Sequence, residues 1–177
     1  MLNELSQLAE YNKLMNQRLY EAASRLSDDE LKMDRGAFFK SVLGTLNHIL
    51  VGDIVWLKRF SKHPSGKKSL SYITNLDTPK SLDTILFEDL ISMRIEREKI
   101  DNVIIQWIAT LSTRDIKDYI MYENMEGLGF KKKYSSLINH LFLHQIHHRG
   151  QVTTLLSQSG IDFGDTDLIE IIPDAHK

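Results

Sequence analysis

Four long stretches of the sequence carry apolar residues at intervals of three and four positions, the spacing that gathers them on one face of an α-helix. They cover residues 2–26, 38–60 and 82–111 and a last stretch that ends at Gly160. Ser135 or Ser136 can cap the start of the last helix, and Gly160 suits the position after its end. Helices with one apolar face are stable only when those faces pack together. The pattern therefore predicts an all-α fold, a four-helix bundle.

The connections between these helices are short or modest in length. Residues 27–30 (Ser-Asp-Asp-Glu) have the capping-box pattern, which starts a short helical turn after the first helix. Segment 63–80 is rich in Ser and Lys and contains two of the three prolines, so it is predicted to be a loop. Segments 116–122 and 130–134 favour short strands, and we expect a small β-hairpin before the last helix. Neither side of the loop has a separate core, which indicates one helical-bundle domain over residues 1–177.

The composition excludes several classes of function. The 22 basic and 24 acidic side chains leave a formal net charge of −2, so we expect neither nucleic acid nor a membrane surface as a partner. No stretch approaches the roughly 18 uninterrupted apolar residues of a membrane span. The N-terminal residues lack the basic start and apolar stretch of a secretory signal, and we expect a cytoplasmic protein. The absence of cysteine excludes disulfides, thiolate metal sites and a cysteine nucleophile.

Histidines are concentrated in the last predicted helix. Four of the seven fall within nine residues, at His140, His144, His147 and His148. Periodicity places His144 and His148 on the inward face, one turn apart, where two imidazoles can bind one divalent ion as in the H-E-x-x-H motif. A tight site needs a third ligand from another helix, and His48 in the second helix is the candidate. The alternative is that these are core histidines satisfied by hydrogen bonds, and for His48 alone the pattern does not decide between the two.

Several residues near these histidines are candidates for supporting roles. Asn47, His147 and Gln151 could orient a ligand imidazole or a bound water. His140 and His147 lie on a neighbouring face of the helix, which favours a supporting or surface role for both. Arg149 is expected to form an ion pair at the surface.

Three residues interrupt the apolar patterns of the second and third helices. Arg97 lies in the stripe of the third helix, and we expect its charged end to reach solvent, with a buried anion-binding role as the alternative. Gly44 and Gly52 lie one turn before and one turn after His48. Glycine inside a helix costs roughly 1 kcal/mol relative to alanine. Two reasons for the glycines stay open, which are close helix packing and space for a substrate beside a metal ligand.

Several segments resemble a known family. Residues 144–151 read His-Gln-Ile-His-His-Arg-Gly-Gln, and residues 44–50 read Gly-Thr-Leu-Asn-His-Ile-Leu. Tyr11-Asn12 and residues 34–39 (Asp-Arg-Gly-Ala-Phe-Phe) extend the similarity towards the N-terminus. Together these segments resemble the DinB/YfiT-like metalloprotein family over nearly the whole chain.

The resemblance implies a four-helix bundle that holds one divalent ion, often zinc or nickel, through three histidines. These ligands correspond here to His48, His144 and His148. The resemblance also implies a homodimer. Relatives with assigned activities use a low-molecular-weight thiol as cosubstrate, as in bacillithiol-dependent S-transferases. A thiol and a small electrophile are therefore the partners that the resemblance suggests.

Two classes of function are compatible with these features. The first is an enzyme in which the metal activates a thiol, although the sequence does not identify catalytic residues. The second is a non-catalytic metal-binding protein of the stress response. A metal-dependent hydrolase is disfavoured, because Gln145 stands where the H-E-x-x-H motif has its glutamate. An open fourth coordination position would favour catalysis, and a fourth protein ligand would favour a structural role.

Overall fold

The computed structural model describes residues 1–174, which form a mainly helical protein with one small antiparallel sheet. The long helices are α1 (Leu2–Ala23), α3 (Val42–Phe60), α5 (Leu90–Thr110) and α6 (Tyr134–Gln158). The short elements are the helices α2 (Asp28–Lys32) and α4 (Ser71–Thr74), the strands β1 (Tyr119–Glu123) and β2 (Gly129–Lys133), and 3-10 turns at Asp115–Lys117 and Leu168–Ile171. The helical character and the hairpin before the last helix are confirmed. Within this part of the chain, no helix has both the length and the apolar character needed to cross a membrane.

Two long helices start later than the periodicity predicts. Helix α3 begins at Val42 because the Ser41 hydroxyl accepts a hydrogen bond from the Gly44 amide at 3.0 Å. Helix α5 begins at Leu90, where Asp89 caps it in the same way, and the residues before it form a loop rather than the predicted first turns of a helix. Leu86 and Phe87 of that loop pack on the core without being helical, which is why periodicity misassigned the segment.

The other predicted boundaries are close to the observed ones. The capping box is present, because the Ser27 side chain and Glu30 exchange hydrogen bonds at the start of α2. Helix α6 begins directly after β2, at Tyr134, without the predicted serine cap. Gly160 follows the end of α6 with a φ of +72°, a conformation that favours glycine. The predicted loop 63–80 contains the single turn of α4.

The four long helices pack around a common apolar core. Helix α1 packs against α5 and α6, α3 packs mainly against α6, and α3 and α5 meet over a smaller area. Trp107, Phe60 and Tyr134 are fully buried where α5, α3 and α6 approach each other, and the Phe60 and Trp107 rings stack at 5.2 Å. This arrangement places α3 beside α6, the two helices that carry the histidine candidates.

A layer of polar residues crosses this core and is called the polar core below. Its members, none more than 6% exposed, are Asn12, Asn16, Asp53, Arg97, Asp101, Gln145 and Arg149. Arg97 forms ion pairs with Asp53 and, at 2.9 Å, with Asp101. Gln145 Nε2 donates to Asp53 Oδ2 at 2.6 Å, and Asn16 Nδ2 donates to Asp101 Oδ1 at 3.0 Å. The polar core thereby connects all four long helices.

The predictions for Arg97 and Arg149 were wrong. Arg97 is 2% exposed, and its charge is balanced inside the protein by Asp53 and Asp101 instead of reaching solvent. Arg149 is 6% exposed and donates from Nη1 to the side-chain oxygens of Asn12 and Gln145. The periodicity of one helix cannot reveal charged or amide partners that come from other helices.

Replacing Arg97 should destabilise the protein strongly. The Arg97→Met variant leaves two buried carboxylates without their cation, and we expect a loss of about 3–5 kcal/mol in the free energy of unfolding. Arg94→Met is the matched control, because Arg94 lies on the same helix and pairs with Glu98 at 3.2 Å in solvent. It should cost less than about 0.5 kcal/mol. Urea unfolding measures both, and similar small losses would contradict a stabilising ion pair in the core.

Candidate metal centre

Three histidines from α3 and α6 bring their Nε2 atoms together. His48 Nε2 lies 3.1 Å from His144 Nε2 and 3.1 Å from His148 Nε2. All three ligand atoms lie within 4.8 Å of one another and could hold a metal ion. His48 and His144 are 96 positions apart in the chain and meet only because α3 packs against α6.

Hydrogen bonds to the Nδ1 atoms of His48 and His148 determine which ring nitrogen carries the proton in these two residues. His48 Nδ1 lies 2.7 Å from the Leu82 carbonyl, which can only accept, so this nitrogen donates. His148 Nδ1 likewise donates to Gln151 Oε1 at 2.8 Å. In both neutral rings, Nε2 is then the unprotonated atom, and its lone pair faces the cluster.

The environment keeps the three imidazoles neutral. Burial lowers the pKa of His48 and of His148. Burial, followed by the charges of the neighbouring imidazoles, lowers the pKa of His144 to about 3. Neutral imidazole is the form that binds metal, so the cluster is in the ligating state near neutral pH.

The geometry of the cluster fits a divalent cation. The lone pairs of His48 Nε2 and His148 Nε2 face each other at 3.1 Å and repel unless a proton or a cation lies between them, and burial disfavours an added proton. For nitrogens at about 2.0–2.1 Å from zinc, a separation of 3.1 Å corresponds to an N–Zn–N angle of roughly 100°. That angle lies between the octahedral and tetrahedral values. Three imidazole nitrogens are a donor set that suits zinc, nickel, copper and iron.

Asn47 supports the site indirectly, through the loop that precedes α5. It is fully buried, and its Oδ1 accepts from the backbone amides of Leu86 and Phe87 at 2.8 and 3.0 Å. Its Nδ2 donates to the Phe87 carbonyl at 3.0 Å. Asn47 therefore ties the loop before α5 to α3, and this loop carries the Leu82 carbonyl that holds His48. Within residues 1–174 the hydrogen bonds of Asn47 go to backbone groups, whereas Gln151 accepts one from the His148 imidazole.

The remaining histidines of helix α6 lie outside the cluster. His147 is exposed, and its Nε2 lies 3.4 Å from Gln151 Nε2, so it borders the residue that holds His148. His140 is also exposed and packs edge-on against Trp56, with ring centroids 5.0 Å apart. Within residues 1–174, no further His, Asp or Glu places a ligand atom in the cluster.

Gly52 and Gly44 are explained by close packing. A Cβ atom on Gly52 would lie 2.6 Å from His144 Cε1, so the missing side chain provides space for the His144 ring. A Cβ atom on Gly44 would lie 2.2 Å from the Phe39 carbonyl oxygen. The interpretation of Gly52 as clearance for a substrate is wrong, because a metal-ligand candidate fills that space.

Phe39 covers one side of the cluster and was not predicted as a site residue. Its ring stacks on His48 with centroids 3.8 Å apart and meets His148 edge-on at 5.6 Å. His144 is the most exposed of the three clustered histidines, although its Nδ1 is buried. Periodicity placed Phe39 in the apolar stripe of the second predicted helix, but the residue lies in the loop before α3, so the pattern did not indicate its contact with the histidines.

Sequence comparison agrees with this arrangement. The profile of the DinB family matches residues 1–172, which include all three clustered histidines. The chain belongs to the DinB family. A relative described as Protein DinB, from Bacillus subtilis (strain 168), is 26% identical over 163 residues, which cover 90% of this chain and 88% of the relative. No solved structure matches this DinB-family chain.

Adding one methyl group at Gly52 should weaken metal binding. The Cβ of Gly52→Ala would overlap the His144 ring and displace it, and we expect an affinity loss of roughly 10–100-fold. Gly150→Ala is the control, because a Cβ on Gly150 of α6 meets no atom within 4 Å. This control should keep its affinity and gain about 1 kcal/mol of stability. Competition titration with a chromophoric chelator measures the affinities, and equal values for the two variants would contradict the role of Gly52.

Proposed function

We propose that this DinB-family protein binds one divalent metal ion, zinc or nickel, through Nε2 of His48, His144 and His148. The observation that carries the proposal is the convergence of these three Nε2 atoms. In His48 and His148 the other ring nitrogen, Nδ1, is hydrogen-bonded to a group outside the cluster. The packing of α1, α3, α5 and α6 supports our assignment of the fold to the four-helix bundle implied by the family resemblance.

We propose further that the ion serves thiol-dependent chemistry on a small electrophile. Three neutral protein ligands leave at least one coordination position for an exogenous group. The chain contains no cysteine, so a reacting sulfur must come from a separate small molecule. No carboxylate among residues 1–174 joins the cluster to act as a general base towards water, which disfavours hydrolysis.

The protein's own residues have defined roles in this proposal. When bound, a divalent ion would lower the pKa of a coordinated thiol from its free value near 8.5 and so raise the fraction of nucleophilic thiolate. Leu82 and Gln151 hold the His48 and His148 rings in the tautomer that presents Nε2. Phe39 excludes water from one side, and the partly exposed His144 side is where a cosubstrate approaches. Sulfur forms the new bond to the electrophile, whose leaving group departs, and the thiol proton passes to solvent.

Among the histidines tested, only the three clustered ones should determine the metal content. The His48→Ala, His144→Ala and His148→Ala variants should each lose most bound metal, while His140→Ala, His147→Ala and His63→Ala should retain it. Elemental analysis after purification provides the measurement. Equal losses in both groups of variants would contradict the assignment of the ligands.

Added metal should raise the free energy of unfolding in wild type and in control variants, but not in variants that lack a clustered histidine. Metal that binds only the native state adds RT ln(1 + [L]/Kd), about 2.7 kcal/mol at 100 times Kd. Thermal unfolding with and without added zinc should show this increment in wild type and in His147→Ala, but not in His48→Ala. An increment of wild-type size in His48→Ala would place the stabilising ion elsewhere.

Thiol consumption should require both metal and added thiol. A panel of small thiols and electrophiles is tested with wild type, His148→Ala and His147→Ala, and turnover should be lost in His148→Ala because that variant cannot hold the ion. Metal-independent turnover, or full activity in His148→Ala, would refute the mechanism. Absence of turnover with a panel that includes bacillithiol would favour the alternative, a non-catalytic metal-binding protein of the stress response.

A further inference from the structure

A basic and aromatic face adjoins the histidine cluster next to His144. It is formed by the parts of α3 and α6 beyond the cluster and by the side of the β-hairpin that packs on them. It is called the basic face below, and its members are Trp56, Arg59, Tyr122, Phe130, Lys132 and His140. His140 connects it with the cluster, because the centroids of the His140 and His144 rings lie 6.0 Å apart.

The hairpin directs one cation of β2 towards this face. Lys132 pairs in register with Ile120, which is buried, and Phe130 pairs with Tyr122. Paired residues of an antiparallel sheet lie on the same side, and side chains alternate along each strand. Lys132 therefore shares the inner side with Phe130, and its Nζ lies 5.4 Å from the centroid of that ring. The next residue along the strand, Lys131, lies on the outer side.

Arg59 and Lys132 carry positive charges without a carboxylate partner. The Arg59 guanidinium lies over the Trp56 and Tyr122 rings, 4.6 and 5.0 Å from their centroids. Among residues 1–174, neither cation forms an ion pair or a side-chain hydrogen bond. Burial lowers the pKa of Arg59, and no carboxylate opposes this effect. Burial, followed by the charges of Lys132 and Arg59, lowers the pKa of His140, so their positive field extends towards the cluster.

An open depression beside the basic face provides room for a ligand. It has a volume of about 530 Å³, and Tyr122 and Phe130 form part of its lining. Its charged lining residues are Lys62, Lys131 and Glu123, so positive charge is in excess here as well. The whole chain has a net charge of −2, which makes this excess a local feature that favours an anion.

The distance between the basic face and the cluster sets the length of a ligand that contacts both. Gly52 lies level with the cluster, because a Cβ there would be 2.6 Å from His144 Cε1. Arg59 follows seven positions later on the same helix. At a rise of about 1.5 Å per residue, the two positions are about 10 Å apart along α3. About three residues of extended peptide span that distance.

We propose that the thiol cosubstrate carries a carboxylate, which Arg59 and Lys132 bind while the sulfur reaches the ion held by the three histidines. This inference rests on the function proposed above. Guanidinium and ammonium groups bind carboxylates through charge-assisted hydrogen bonds. The distance requires a thiol of about tripeptide length and excludes one of two or three carbons. Arg59 and Lys132 thus select the thiol by charge and by length.

Spectroscopic titration of the cobalt-loaded protein tests the proposal without requiring turnover, because coordination of a thiolate changes the absorption of Co²⁺. One probe is glutathione, which has the required length and two carboxylates. Its diethyl ester has the same length without a carboxylate, and 3-mercaptopropionate has a carboxylate too close to its sulfur to span about 10 Å. The variants are Arg59→Met and Lys132→Met. Lys131→Met is the control, because Lys131 lies on the same strand but on its outer side.

Wild type and Lys131→Met should bind glutathione at least about tenfold more tightly than the diethyl ester. Affinity for glutathione should fall about tenfold in Arg59→Met and about threefold in Lys132→Met, whose side chain is exposed. Cobalt content and the affinity for 3-mercaptopropionate should not change. Lys132→Met removes only an exposed side chain, so it provides the test even if Arg59→Met does not fold.

The outcomes separate this inference from the function on which it rests. Equal affinities for glutathione and its ester, or unchanged glutathione affinity in both variants, would overturn the role of the basic face while thiol binding at the metal stands. That result is also expected if the basic face binds the electrophile instead. Absence of an absorption change with all three thiols would contradict the proposed thiol chemistry, and this inference with it.

Discussion

Three neutral imidazoles converge, and the unprotonated Nε2 atoms of His48 and His148 face each other at 3.1 Å, which is unfavourable by itself and is enforced by the surrounding structure. The Leu82 carbonyl and Gln151 hold two of the rings from behind. Gly52 gives the third ring, that of His144, the space it occupies. Phe39 covers the cluster from the loop before α3. These features are hard to explain for three unrelated core histidines, and a shared cation explains them together.

The polar core explains how two helices hold the cluster in register. Gln145 follows His144 on α6, and Asp53 follows Gly52 on α3, so the turns that carry the site also carry the hydrogen bond of 2.6 Å between these two neighbours. Arg97 ties Asp53 to α5, which extends the connection across the protein. A slip of α6 against α3 would break this buried network as well as the cluster. Site and core are therefore parts of one arrangement.

The sequence predicted those features that depend on one helix at a time. Periodicity located the long helices and placed His144 and His148 on an inward face, and residues 27–30 gave a capping box. Periodicity failed where the residue that determines a side chain's role lies far away in the sequence. The loop before α5 is held by Asn47, and the charge of Arg97 is balanced from two helices. The role of Gly52 also depends on a ring from another helix, and no pattern within α3 could reveal it.

The most direct test of the account is a crystal structure of the protein purified with its metal, with diffraction data collected at the absorption edge of that metal. The account predicts one anomalous peak about 2.0–2.1 Å from the Nε2 atoms of His48, His144 and His148, as expected for zinc. A peak coordinated instead by His140 or His147, or by oxygen ligands alone, would contradict it.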